Sequence, residues 1–334
     1  MQPSISKFIQ TGDIHIGASR SLEGYLERHK QVLIQVMDLA YNKGMPLLIT
    51  GDLTHSKTTT HDESYLLHWW LSEIEKRKIP TVVITGNHDH LYGEVTQVDE
   101  LKCMPFQHIK IVTWHPDIHI INDLGIICIP WRNYTSEDLK KIVMEKLPLL
   151  SACKYKVVML HECISGVTLD NGFILTKGTA LPNIREITYW AVGDIHKFQK
   201  TNLVNGYYSG SPTQFNFDDS LPKGVLEVDL EYPSNKPTLI PLTFKPLKTI
   251  STVQEIEDDA YYKLIGGYEE VIKANKENLV VATEYDKRGE NSIEYIKVGI
   301  LDGLSEFLAG KGIDKTYQKK GIDWVSKLLR LENA

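Results

Sequence analysis

PTVVITGNHD, residues 80–89, decides the reading of this chain. Pro80–Thr85 is a short apolar run rich in β-branched side chains, which reads as a buried strand. The run breaks at Gly86 into Asn87, His88 and Asp89, three polar residues of the types that hold metals or move protons. The same arrangement recurs along the chain. Ser6–Gln10 reads as a strand ending in Thr11-Gly12-Asp13, with His15 two residues on. Pro46–Thr50 ends in Gly51-Asp52, Lys156–Leu160 ends at His161, and Tyr189–Val192 ends in Gly193-Asp194-Ile195-His196. In open α/β sheets, ligands bind beyond the carboxyl ends of the strands, so these five ends are expected to converge. The glycines let the chain turn sharply there and bring backbone close to an ion.

The stretches between are those of an α/β protein. Helical periodicity runs over Leu22–Asn42, Asp62–Lys78 and Ser136–Leu150, and further strands are expected at Ile109–Thr113, Ile118–Ile121, Gly125–Ile129, from Tyr207 onward, and at Gly224–Leu230. Prolines crowd Glu231–Pro246, which reads as a boundary. Beyond it, Leu264–Ala274 reads as helix and Leu279–Tyr285 and Ile293–Ile300 as strands, so a small α+β cap is expected over 247–310 after a first domain over 1–240.

Composition narrows the function. Hydrophobic residues make up 42% and charged residues 24%, as in an ordinary soluble globular protein. The net charge of -6 argues against a free-standing DNA binder but not against a metalloenzyme, whose ions bring positive charge of their own. Cys103, Cys128, Cys153 and Cys163 form no CxxC pair, which excludes a zinc ribbon and suits a reducing cytosol. The segment MQPSISKFIQTGD does not read as a signal peptide, and no apolar run reaches the ~18–20 residues that would span a bilayer, so no membrane association is expected.

The residue types fit phosphodiester hydrolysis. That reaction needs a nucleophile at neutral pH and compensation for charge on the phosphoryl oxygens, and two divalent ions ~3.5–4 Å apart supply both. Holding two ions takes one bridging carboxylate flanked by imidazoles, carboxylates and an amide oxygen. Such O/N ligation without thiolate suits manganese, iron or zinc better than calcium. Each piece alone is weak, because a Gly-Asp after a strand is commonly a turn or a helix cap. Gly86-Asn87-His88-Asp89 is much rarer, and five such strand ends in order outweigh the blander reading. His29, His61, His68, His90, His108, His115 and His119 are read instead as surface or satisfied core histidines.

The order GDIH, GDLTH, GNHD, a strand-terminal His and GDIH resembles the calcineurin-like metallophosphoesterases, whose pattern is DxH, GDxx(x), GNHD, H and GHxH. Within them it is most similar to the SbcD-type nucleases, relatives of the meiotic recombination eleven nuclease. Gly51-Asp52-Leu53-Thr54-His55 resembles that branch's GDLFH, residues 189–196 its YVALGHIH, and Tyr208-Ser209-Gly210-Ser211-Pro212 its YPGSP. The resemblance covers residues 6–230 well and the remainder loosely. It implies a two-sheet sandwich flanked by helices, with the α+β cap and a C-terminal helix. It also implies two divalent ions, manganese foremost, one held by Asp13, His15, Asp52 and His196 and the other by Asp52, Asn87, His161 and Asp194. His88 would be the general acid, with Asp89 orienting it and His55 placing the phosphate. The family's GHxH has histidine where this chain has Asp194; the added negative charge is expected to favour a hard ion such as manganese.

The implied activity is a DNA exonuclease or single-strand endonuclease in end processing, repair or recombination, joined to an SbcC-type SMC-like ATPase, with a homodimer left open. The small size is like phage members of the branch, which would act in a host cytoplasm. The alternatives are a stand-alone phosphoesterase acting on nucleotides or phosphoproteins, and a metal-free scaffold. The last segment, 311–334, carries six Lys/Arg against three Asp/Glu. Ile322, Val325 and Leu329 fall on one helical row and Trp324, Leu328 and Leu331 on another, an apolar face too broad for a lone surface helix. This face, with Trp324, Val325, Leu328 and Leu331 at its centre, either folds onto the cap or docks on the ATPase, as the resemblance implies.

Overall fold

The computed structural model describes residues 4–169, 172–234, 236–251 and 259–264, together with the backbone of 279–282. Two compact units divide the chain, residues 1–248 with 259–261, and residues 249–258 with 262–334. Residues 265–274 of the helix expected over Leu264–Ala274, the strand expected at Ile293–Ile300 and the segment 311–334, with Trp324, Val325, Leu328 and Leu331, lie outside the described residues, while Leu264 itself ends a strand.

The first unit begins with β1 (Lys7–Thr11), α1 (Tyr25–Lys43), β2 (Leu47–Thr50), α2 (His61–Lys76) and β3 (Thr81–Ile84). A small hairpin follows, β4 (His90–Tyr92) and β5 (Val95–Thr96), then β6 (Ile109–Val112), β7 (Asp117–Ile121), β8 (Leu124–Ile129) and α3 (Ser136–Lys146). β9 (Tyr155–His161), β10 (Tyr189–Gly193), β11 (Gln199–Lys200), β12 (Gly206–Tyr208), β13 (Gly224–Asp229) and β14 (Thr238–Pro241) complete it. One six-stranded sheet has the order β14-β13-β1-β2-β3-β6 and the other β11-β12-β10-β9-β8-β7. Each has four neighbouring parallel strands with antiparallel strands only toward its edges.

Alternation along the strands builds the layers, because successive side chains point to opposite faces. Phe8, Leu48, Val82 and Ile84 of the first sheet pack with Ile126, Val157, Met159 and Ala191 of the second. The opposite face of the first sheet, Ile9, Leu47, Ile49 and Val83, packs under Val32, Val36 and Met37 of α1 and Leu67, Trp70 and Ile74 of α2. The outer face of the second, Ile127, Val158, Leu160, Trp190 and Val192, packs under Leu139 and Val143 of α3. The result is a helix–sheet–sheet–helix sandwich. Among the described residues no helix is long and apolar enough to cross a membrane.

A three-stranded sheet has the order β15 (Leu247–Ile250), β16 (Tyr261–Leu264) and β17 (Leu279–Ala282), and within the second unit Tyr262–Leu264 of β16 pairs in parallel with the backbone of β17. Two local expectations are corrected. The helix expected over Ser136–Leu150 ends at Lys146 and continues as a 3-10 turn, Leu147–Leu150, containing Pro148, which has no N–H for the helical ladder. The proline-crowded stretch read as a boundary contains β14, an edge strand of the first sheet, and the first unit runs on to Lys248.

Candidate metal centre

The carboxyl ends of β1, β2, β3, β9 and β10 meet, and the residues singled out by the motifs meet with them. Two glycines make the approach possible. A Cβ on Gly86 would collide with the Asp52 carboxylate, and one on Gly51, which sits at φ 100°, would collide with the His161 ring. Asp13, His15, Asp52 and Asp194 themselves take positive φ, 49°, 48°, 52° and 106°. L-residues adopt that region at a cost, and it recurs where function fixes a side chain's direction.

Asp52 lies at the middle of the group. Its Oδ2 is 3.3 Å from His15 Nε2 and 3.5 Å from His161 Nε2, and its Oδ1 accepts the His88 N–H at 2.9 Å. His161 Nδ1 is 2.7 Å from the Thr50 carbonyl, which can only accept, so Nδ1 carries the proton and Nε2 is free to ligate. That Nε2 is 3.0 Å from Asn87 Oδ1 and 3.6 Å from Asp194 Oδ1. On the other side of Asp52, His15 Nε2 faces His196 Nε2 at 3.1 Å. Two imidazole nitrogens this close either share one proton or turn both lone pairs toward one cation.

Asp13, Asp52, His15 and His161 are all but fully buried, while Asp194 and His196 are half-buried. Asp13 Oδ1 accepts the Asp194 N–H at 3.0 Å, but its Oδ2 is buried with no protein partner. Burial, then the neighbouring Asp52 and Asp194 carboxylates, push Asp13 up to about 8 despite the pull of His161. Burial alone would raise Asp52, but His161 and His15 hold it below the ordinary carboxylate range. His15 is lowered by burial and by His196, His88 and His55, while Asp52 and Asp194 overcome burial to raise His161. A buried cluster of opposed carboxylates and imidazoles with one orphaned carboxylate oxygen fits divalent cations, which would satisfy both.

Ligand atoms within 4.8 Å of one another come from Asp13, His15 and His196; from Asp13, Asp52 and His161; and from His15, His55 and His88. The motif residues are thus brought together, with Asp13 in reach of both imidazole groups. His88 and His55 rings stack 5.6 Å apart, and His88 Nδ1 is 2.7 Å from the His55 carbonyl. That carbonyl fixes the His88 proton on Nδ1 and leaves Nε2 to exchange one. Asp89 is buried. Its oxygens accept the N–H groups of Gly86 (2.9 Å), Leu53 (3.2 Å) and Thr54 (3.0 Å), so it braces the two loops and does not bond the His88 ring.

Other residues escaped the motif reading. Phe215 packs edge-on against His15 and His196, ring centres 5.0 and 5.2 Å away. His29, read from sequence as a surface or core histidine, is buried with its ring nitrogens 3.1 and 3.0 Å from the His15 and Tyr25 carbonyls; burial lowers it to about 4, so the neutral ring carries one N–H and donates to one of the two. Gln97, which bonds the peptide of His88, belongs to no motif. Beside Asp194 and His196 lies a cavity of about 400 Å³, also lined by Leu169, Ile195, Asn216, Asp218 and Asp219.

Residues 6–198 match the family described as calcineurin-like phosphoesterase. The chain is 25% identical over 300 residues to the SbcD subunit of the nuclease SbcCD of Staphylococcus epidermidis, covering 80% of this chain and 74% of that one. It is 24% identical over 220 residues to an uncharacterized protein of Acanthamoeba polyphaga mimivirus, covering 63% of this chain but 16% of that protein. Among solved structures, the TT1561 protein of Thermus thermophilus aligns with 11% identity and a TM-score of 0.42, covering 71% of this chain and 99% of that one. The calcineurin-like phosphoesterase YfkN of Bacillus subtilis aligns with 14% identity and a TM-score of 0.36, covering 68% and 85%.

Proposed function

This chain belongs to the calcineurin-like phosphoesterases, metal-dependent hydrolases, and from that premise we propose that it is a two-metal nuclease of DNA, working with an SMC-like ATPase in end processing, repair or recombination. The observation that carries the reading is Asp52, one carboxylate set between His15 and His161, each the start of a separate ligand group. The likeness to the SbcD subunit of a nuclease SbcCD supports DNA as the substrate and an SbcC-type protein as the partner.

On this reading Asp13, His15, Asp52 and His196 would hold one ion and Asp52, Asn87, His161 and Asp194 the other. When bound, the ions, manganese foremost, would supply a nucleophilic water at neutral pH and charge compensation on the phosphate. The chain's own residues do the rest. His55, stacked on His88, places the phosphate. Water oxygen bonds to phosphorus, the bond from phosphorus to the leaving oxygen breaks, and His88 Nε2 delivers the proton that oxygen needs. The cavity beside Asp194 and His196 has the size of a nucleotide site and supports a second reading, a phosphoesterase acting on free nucleotides.

One comparison separates the two. With manganese, a single-stranded oligodeoxynucleotide, a mononucleotide and bis(p-nitrophenyl) phosphate are offered to the same preparation. Cleavage of the oligonucleotide at the higher kcat/KM, raised further by an SbcC-type ATPase, is the expected result. Hydrolysis of the mononucleotide with the oligonucleotide untouched would establish the second reading instead.

A further inference from the structure

His55 and His88 stand on loops that leave different strands, β2 and β3, and their rings must hold one separation if they are to act on one phosphate. His88 is only half-buried, and its ring packs on one side only, against those of His55 and His15 at 5.6 and 4.7 Å, so its main chain needs holding as well. Its N–H is tied to Asp52, and its ring to the His55 carbonyl. A third restraint comes from behind, from Gln97, just past the β4–β5 hairpin. The Gln97 backbone N–H donates to the Asp89 carbonyl at 2.9 Å. Its side-chain Nε2 lies 2.8 Å from the Ser56 carbonyl and 3.0 Å from the His88 carbonyl, and it contacts Thr54 Oγ1. An amide NH₂ has two hydrogens, and carbonyls can only accept, so one side chain ties the peptide of His88 to the segment just after His55. Asp89 braces the same two loops at their bases, accepting the N–H groups of Gly86, Leu53 and Thr54 and the Thr54 hydroxyl, but its carboxylate bonds neither the His88 carbonyl nor Ser56.

We propose that Gln97 is a positioning residue for phosphodiester hydrolysis, holding the main chain of His88 against the Thr54–Ser56 segment so that the His88 imidazole keeps one orientation toward the leaving oxygen. The chemistry at position 97 is specific. Two donors are needed at this reach, leucine offers none, and glutamate would set a carboxylate against two carbonyl oxygens. The inference rests on His88 as the proton donor, as proposed above.

The test is a double-mutant cycle on the full chain with manganese and bis(p-nitrophenyl) phosphate. Gln97→Leu is expected to lower kcat ~10–100-fold, the order of cost of a misplaced catalytic group, with KM and bound manganese unchanged. In a His88→Ala background the same change is expected to cost less than about threefold, since residues that act through one another are not additive. A readout independent of turnover is the His88 imidazole carbon signal of the zinc-loaded, 13C-histidine protein. It is expected to shift or broaden in Gln97→Leu while that of His29 stays. Gln97→Asn keeps two donors but is one methylene short, so an intermediate loss is expected, and it serves the same cycle where the leucine variant does not fold. An equal penalty with and without His88, or an unmoved His88 signal, would overturn the proposal. A wild-type protein that hydrolyses no phosphodiester would instead overturn the proposed function, and the His88 signal alone would then judge Gln97.

Discussion

Asp13, His15, Asp52 and Asp194 show what a residue-level reading reaches and where it stops. Their chemistry was legible as metal-ligand types at strand ends, and the preceding Gly12, Gly51 and Gly193 hinted at tight turns. Their own left-handed backbone was not, because it is imposed by packing between two sheets and costs roughly 1–3 kcal/mol per residue. Asp52 stands where both ligand groups meet, so Asp52→Ala is expected to abolish hydrolysis and to strip both ions, measured as metal bound per chain after dialysis; retention of full manganese stoichiometry would contradict its shared role. His88 lies within ligand range of His15 and His55, so its role as acid is open to the same measurement. His88→Ala is expected to lose ~10²–10⁴-fold in turnover while keeping its metal, the usual worth of general acid catalysis. Loss of an ion in that variant would make His88 a ligand. Gln97 and Phe215 had no signal in the sequence, because neither stands in a motif and each is placed only by folded contacts, Gln97 with His88 and Ser56 and Phe215 with His15 and His196.

Among the elements, helix α2 was legible from its periodicity and from its start. Thr60 accepts the Glu63 N–H while the Glu63 carboxylate accepts the Thr60 N–H, a reciprocal cap. The same carboxylate, fully buried, also accepts from Arg20 Nε and Nη2 at 2.7 and 2.6 Å and from the Tyr25 hydroxyl at 3.0 Å. Burial would raise Glu63, but Arg20, Thr60 and Tyr25 hold it below its ordinary value. A carboxyl depressed by folding stabilises at pH above its unfolded value, roughly 4.3, and that stability is lost as pH falls below it. Glu63→Gln is therefore expected to lower unfolding free energy by ~1.5–3 kcal/mol at pH 7, and to flatten the loss of stability between about pH 4.5 and 3. Urea titrations across that range check it; an unchanged acid slope would remove Glu63 from the account. Strand β14 was the element missed. Pro237 just before it and Pro241 at its end mimic a linker, yet proline is tolerated on an edge strand, where one side of the ladder needs no donor.

For the whole molecule, the centre draws on both sheets, so neither sheet alone carries it. The sign of the charge matters as well. On the proposed reading, a chain of net charge -6 would gain a basic DNA surface from its partner, and segment 311–334, whose sequence is amphipathic, is the part proposed to reach it. Deleting residues 314–334 is expected to leave manganese-dependent cleavage of short single-stranded DNA intact and to remove binding of an SbcC-type ATPase, measured by co-sedimentation; full affinity after deletion would sink the docking idea. The order of the first sheet bears on how the protein is made. β1 lies between β2 and β13, so one flank of the strand that leads into Asp13 is completed only by residues 224–229. At about 5–20 residues per second a ribosome takes roughly ten to forty seconds to cover that interval. Throughout it the nascent chain presents an apolar strand with an unpaired edge, the surface on which neighbouring chains join. Fragments that stop before Gly224 are accordingly expected to be recovered in inclusion bodies, while those that continue through Pro241 stay in the supernatant, as centrifugation of expressed lysates would reveal.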